Sequence, residues 1–223
     1  MSLPADPIIR RLLSIALLAW LAGALVIALA MIGALDSFDL VVNALAVGPA
    51  REHPVVAALL RAFTAIGDWE ARLAIAGAFF LYLAMRRFGR AASYVLYTTL
   101  GMWALNAWVL KPLFGRARPA MAGELVGVAT SFALPSGHAG NAAAVATAIA
   151  LVAGTIWWRR RQRRTIFAVA VLIVLGVGVS RVMLGVHWAS DVVAGWCVGL
   201  AFALTMAVLI RPVQAPKGLT PEP

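Results

Sequence analysis

The sequence predicts an all-α integral membrane protein, a bundle of six transmembrane helices, and three observations predict it. Of its 223 residues 63% are hydrophobic and only 13% charged, far too little polar surface for a soluble domain of this size. The apolar residues gather into charge-free runs, and several reach the roughly 20 residues that a helix needs to cross the hydrocarbon. The basic residues cluster beside those runs instead of forming a separate patch, which is how a membrane protein anchors its topology.

The elements follow in order. Residues 12–35 form a first charge-free run, too long for a cleaved leader and without the small residue expected before a cut, so it reads as a retained span. Residues 73–85 are the weakest span and must borrow an outer turn from IGDWEAR, with Glu70 and Arg72 near the interface. Residues 91–110, 139–158 and 192–210 are three further charge-free spans. Residues 165–180 are short alone but continue as VMLGV beyond Arg181. Between the first two spans, residues 36–69 are too long for a turn. There Val56, Leu59, Leu60 and Phe63 recur at helical spacing, which fits a short helix lying in the interface or packed as a lid. The expected organisation is one membrane domain, residues 1–211, and a Pro-rich disordered tail, 212–223.

Six spans put both termini on one side together with the loops after spans two and four. That side carries twelve Lys and Arg residues against seven on the other, so the termini are expected in the cytoplasm. The cluster WRRRQRR at 158–164 abuts a span. It reads as a topology anchor, and no nucleic-acid partner is expected. The single cysteine, Cys197, lies in an apolar run and reads as a small packed side chain. His53 in REHP has no partner pattern and reads as a surface residue.

The remaining polar residues converge on the non-cytoplasmic face. Span three ends in Lys111 and its loop continues as PLFGRARP, giving Arg116 and Arg118. The loop returns through LPSGH, so Ser136, Gly137 and His138 stand at the start of span four. Span five leaves with Ser180 and Arg181, and span six begins after His187 and Asp191. Lys111, Arg118 and Arg181 lack matching acids nearby and suit a ligand with several anionic oxygens. The planar fork of Arg in particular matches phosphate. PSGH offers a hydroxyl, close backbone approach at glycine, and the free N–H groups of a helix start. His187 and Asp191 are spaced i, i+4, so on one helical turn the carboxylate can hold one ring nitrogen as N–H and leave the other as a nucleophilic lone pair. His138 is then free to protonate a leaving alkoxide. These are the parts of phosphoryl transfer through a phosphohistidine. Two-metal chemistry would need bridging carboxylates. Only Asp191 lies within the motif segments; Glu124 sits in the loop and Asp36, Asp39, Glu52, Asp68 and Glu70 in the earlier connection. No metal or other cofactor is expected.

Lys111 through Arg118–Pro119, then Pro135-Ser136-Gly137-His138, then Ser180-Arg181 through His187 to Asp191 resemble the three-part signature of the type 2 phosphatidic acid phosphatase superfamily. All three parts occur in order with no departure at a signature position. The resemblance implies His187 as nucleophile, Asp191 as its orienting partner and His138 as general acid. It also implies Lys111, Arg118, Ser136, the Gly137 N–H and Arg181 as phosphate ligands, with no metal. Ser180 and Pro119 read as structural, and Arg116 as at most an auxiliary headgroup contact. The implied activity is hydrolysis of a lipid phosphate or diphosphate, such as undecaprenyl diphosphate, phosphatidylglycerophosphate, phosphatidate or lipid A phosphate, on the outer face of a bacterial cytoplasmic membrane. A lipid phosphotransferase would use the same site with another acceptor. A non-enzymatic lipid-binding or transport protein would not need His187, and a haloperoxidase would need vanadate.

Overall fold

A computed structural model describes residues 6–120, 131–157 and 159–212. Glu124, Trp158 and the tail beyond residue 212 lie outside the described residues. Among the described residues the chain is all-helical. The helices are α1 (Pro7–Met31), α2 (Asp36–Glu52), α3 (Pro54–Thr64), α4 (Trp69–Met85), α5 (Gly89–Ala104), α6 (Lys111–Phe114), α7 (Gly137–Ile156), α8 (Arg160–Met183) and α9 (Ala189–Ile210).

Four of them, α1, α7, α8 and α9, are long and apolar enough to cross a membrane. α4 has 17 residues, below that length. α5 has 16 but runs on through a π-helical turn, Leu105–Leu110, into α6 without a break. α1 opens with Asp6 as its cap, accepting the Ile8 N–H at 2.8 Å ahead of Pro7, a start that uses proline where no N–H is needed. Leu17, Leu18, Leu21 and Leu25 of α1 are exposed, as a lipid-facing surface requires.

α9 is the central helix and packs on α1, α5, α7 and α8. In lipid there is no hydrophobic gain from pressing two helices together, so close association depends on small residues and interhelical hydrogen bonds. Gly195 and Gly199 supply the first against α7. A Cβ on Gly195 would lie 2.7 Å from the Ser136 carbonyl oxygen, and one on Gly199 would run into the Gly140 carbonyl. Interhelical hydrogen bonds supply the second: the Tyr94 hydroxyl donates to the Ala203 carbonyl at 3.0 Å, and the indole N–H groups of Trp20 and Trp196 donate to the Thr205 hydroxyl at 3.1 Å and the Val174 carbonyl at 3.0 Å. Such bonds are worth only about 0.6 kcal/mol each, so they fix register more than they hold the bundle together. Cys197 is partly buried beside Gly23 of α1, the packed role expected of it.

The connection 36–69 differs from its sequence reading. It holds two helices where one short one was expected. α2 was missed because Pro49 and a mixed polar pattern blur its periodicity. In α3 the stripe is only partly covered: Ala57 and Thr64 are buried, Val56 and Leu60 are half-buried, and Leu59 and Phe63 are exposed, with the Phe63 ring against Gly176 of α8. Both helices pack on α8, so the segment sits against the bundle.

Candidate active site

The site lies where the N-terminal turns of α7 and α9 meet. The Ser136 N–H donates to the Asp191 carbonyl at 2.9 Å, so the PSGH turn and the start of α9 are joined by backbone. Between α8 and α9 the chain folds back on itself: the N–H groups of Val186 and His187 both reach the Arg181 carbonyl, at 3.1 and 3.3 Å. This brings Arg181, His187 and Asp191 together and buries all three.

His187 is 1% exposed. Its Nε2 lies 3.1 Å from an Arg118 Nη1. A guanidinium can only donate, so Nε2 must offer its lone pair and the ring proton sits on Nδ1. Nδ1 points to Asp191 Oδ2 at 3.4 Å, a separation longer than a good hydrogen bond and one that a bound reactant commonly tightens. Burial pushes the His187 ring well below its ordinary pKa, and Arg118, Lys111, Arg181 and His138 push it the same way. At neutral pH the imidazole is therefore uncharged.

Three cations surround that ring. Arg118 donates to the carbonyls of Val186 and Ser131, at 2.7 and 2.8 Å, and burial lowers its pKa. Lys111 Nζ donates to the Ser131 hydroxyl at 3.1 Å and to the Phe132 carbonyl. Arg181 is buried, with Nη1 3.4 Å from the Thr64 hydroxyl and its Nε unpartnered among the described residues. The Ser136 hydroxyl is also buried without a partner. Among the described residues Lys111, Arg118 and Arg181 donate to carbonyls and hydroxyls and to no carboxylate, so their positive charge is left for an anion.

His138 stands at the rim of a cavity of about 340 Å³ lined also by Lys111, Gly137, Asn106, Trp69 and Trp103. Its Nε2 is 2.7 Å from Asp68 Oδ1. The bond to His138 holds the Asp68 carboxyl below the usual range, and nearby Arg181 and Arg72 add to this against the opposing effect of burial. An ionised carboxylate can only accept, so His138 carries its proton on Nε2.

Lys111, Arg118, Ser136, Gly137, His138, Arg181, His187 and Asp191 are thus drawn into one region, and Lys111, Gly137 and His138 of them line the cavity. Others were missed. Asn106 lies buried on the π turn, whose i to i+5 bond joins the Lys111 N–H to the Asn106 carbonyl. That wider turn carries Asn106 and Lys111 into the same cavity. Asp68 read as one of several scattered acids, because nothing in sequence brings it to a histidine 70 residues away. Arg116 is corrected: it is gripped by Asp39 and Asp191, each at 2.7 Å, and is not a free headgroup contact. Burial works against its charge, but the bonds to Asp39 and Asp191 outweigh this and raise its pKa.

A second, larger groove of about 690 Å³ opens beside the site. It runs between α4, α7 and α8 from Ile66 and Arg72 past Val145 and Ile149 to Trp157 and Arg161. Its lining is mostly apolar and Arg72 borders both cavities.

Residues 90–214 match the family model described as PAP2 superfamily. The chain belongs to the PAP2 superfamily. Phosphatidylglycerophosphatase B of Bacillus subtilis (strain 168) is 40% identical over 93 residues, covering 41% of this chain and 45% of that protein. Phosphatidylglycerophosphatase B of Escherichia coli (strain K12) is 37% identical over 94 residues, 41% of this chain and 34% of that protein. Lipid A 1-phosphatase of Rhizobium etli is 34% identical over 122 residues, 51% and 48% of the two chains. The matched stretches thus span half or less of these curated relatives. The crystal structure of a transmembrane PAP2-type phosphatidylglycerolphosphate phosphatase from Bacillus subtilis superimposes with a TM-score of 0.80 at 25% identity, covering 91% of this PAP2 chain and 98% of that one. The PAP2 fold, and a membrane protein built on it, are therefore common to both.

Proposed function

We propose that this protein hydrolyses a lipid phosphate or diphosphate through a phosphohistidine on His187. The observation that carries the reading is the unprotonated His187 Nε2, buried and neutral, facing Arg118 at 3.1 Å among three cations that have no acidic partner among the described residues. In the first step the Nε2 lone pair attacks phosphorus, the P–O bond to the lipid breaks, and His138, as the imidazolium that Asp68 stabilises, gives a proton to the leaving oxygen and becomes neutral. Lys111, Arg118 and Arg181 hold the non-bridging oxygens, helped by the Ser136 hydroxyl and the Gly137 N–H. Asp191 stabilises the positive imidazole ring that forms. In the second step His138 takes a proton from water, whose oxygen attacks phosphorus. The P–N bond breaks and inorganic phosphate leaves. No step calls on a metal.

The apolar groove along α7 supports a lipid over a soluble phosphate, since an acyl or prenyl chain can stay beside the bundle while its headgroup reaches His138 and Lys111. Membership of a family with phosphatidylglycerophosphatase and lipid A phosphatase relatives supports the same class. In this reading α4 and the continuous segment 89–114 are the second and third of six spans, both termini are cytoplasmic, and the site faces outward from a bacterial inner membrane.

The test is phosphate release by the detergent-purified protein and its His187→Ala variant, with EDTA present, on phosphatidylglycerophosphate, phosphatidate, undecaprenyl diphosphate and lipid A phosphate. Release by the wild type alone supports the reading, and the preferred lipid names the substrate. Equal release by the variant contradicts the mechanism. Release that depends on an added alcohol acceptor would make the protein a phosphotransferase.

A further inference from the structure

α2 reaches the loop that carries the nucleophile, although it lies outside the stretch that matches the PAP2 family. Its buried face presents Asp39 and Asn43, one turn apart. Asn43 donates its amide to the His187 carbonyl at 3.1 Å. Asp39, 1% exposed, accepts the Ser190 N–H on Oδ1 at 2.8 Å and the Ser190 hydroxyl on Oδ2 at 2.5 Å. The same Oδ2 accepts from Arg116 Nη2 at 2.7 Å. From its other nitrogen, Nη1, Arg116 donates to Asp191 Oδ1 and to the Ser190 hydroxyl oxygen, both at 2.7 Å.

We propose that Asp39 and Arg116 are positioning residues that clamp Asp191 behind the nucleophile. The proposal rests on the phosphohistidine reading of His187. Asp191 has no solvent to hydrate it, so a charged carboxylate there must be compensated by the protein. Its Oδ2 takes the Trp188 N–H at 2.9 Å and faces His187 Nδ1. That leaves Oδ1 for Arg116. A guanidinium held by one carboxylate could still swing about that bond. Asp39 on the other side, with Trp188 stacked 5.8 Å from the guanidinium carbon, fixes its plane. The aim of Asp191 at Nδ1 is then set by a chain of short bonds that begins on α2. When Nε2 takes the phosphoryl group the ring becomes positive, and the clamp keeps a carboxylate in place against it.

Asp39→Asn, Arg116→Lys, Arg116→Gln and the double variant Asp39→Asn/Arg116→Gln test this in the purified full-length protein. The substrate is whichever of the four lipids above the wild type turns over fastest. Each single change is expected to lower kcat by about 10- to 100-fold, the usual scale for a partner that orients a catalytic group. KM and the inhibition constant for inorganic phosphate stay unchanged, because Lys111, Arg118 and Arg181 are untouched. The double variant falls no further than Arg116→Gln, since both changes break one device. Asp191 is faced by His187, Arg116 and, across the guanidinium, Asp39. Lys111 and Arg118 also act on Asp191 from farther off. Arg116→Gln removes the cation hydrogen-bonded to the carboxylate, so the acid limb of kcat moves to higher pH. Full kcat in Asp39→Asn and Arg116→Gln while His187→Ala is inactive would overturn the clamp alone, as would additive losses in the double variant. Activity persisting in His187→Ala, or no turnover of any lipid by the wild type, would overturn the phosphatase reading and the clamp with it.

Discussion

The two histidines of the site carry their protons on different ring nitrogens, His187 on Nδ1 and His138 on Nε2. His187 is sealed, with its Nε2 bare and facing Arg118, and its carboxylate partner four residues along the same chain segment at 3.4 Å. His138 is half open, 25% exposed, with its Nε2 protonated and bound to Asp68 from a distant connection at 2.7 Å. Burial and surrounding cations suit the first ring to stay neutral and donate electrons. The ionised Asp68 carboxylate bonded to Nε2 is what supports a positive charge on the second ring, which can then part with a proton. In the proposed mechanism the same side chain thus serves as nucleophile or acid according to what surrounds it.

The largest way to break the contrast is to remove the nucleophile. His187→Ala is expected to abolish phosphate release, a loss of about 10⁴-fold or more, the size seen when a nucleophile is deleted. Asp191→Asn should cost about 10³- to 10⁴-fold, because an amide no longer fixes the Nδ1 proton and the tautomer can reverse. Steady-state release of phosphate measures both. His138→Ala should cost about 10²- to 10⁴-fold on a lipid, the usual share of a general acid. With p-nitrophenyl phosphate, whose leaving group needs no proton, much of that loss should vanish, whereas His187→Ala stays inactive. Equal losses on both substrates would remove the distinction drawn between the rings.

The smallest effects come from the partners' charge. Asp68→Asn is expected to lower kcat about tenfold. It removes the acceptor that favours the protonated His138 ring, so the basic limb of the kcat profile should move to lower pH. In the wild type the acid limb is set by His187 and Asp191 together, since the ring must be neutral and the carboxylate ionised. The His187 pKa is depressed well below 6.5, so the ring itself stays neutral and reactive as pH falls below that value. An acid limb at or above 6.5 that Arg116→Gln left in place would contradict the buried, cation-ringed nucleophile.

How much of this was readable from the sequence depends on how far apart the partners lie. His187 and Asp191 are i, i+4, and the cations flank apolar runs, so spacing and hydropathy sufficed. The α7–α9 contact could have been suspected from the small residues at 195 and 199, but its partner at Gly140 is visible only in three dimensions. Asp68 with His138, and Asp39 with Arg116, join segments about 70 or more residues apart, where charge patterning carries no local signal. A hint did exist in α2. Asp39, Asn43, Val47 and Ala50 share one buried face, so two polar residues lie on a stripe otherwise given to packing, a pattern that marks inward polar contacts once the helix is recognised.

The most direct test of the central claim is to quench the purified protein during turnover of a phosphate-labelled lipid and ask where the label sits. The account predicts an acid-labile, base-stable phosphoryl group on His187, present in the wild type and absent from His187→Ala. Phosphate released at full rate with no labelled enzyme at any quench time, and with turnover retained in His187→Ala, would contradict it.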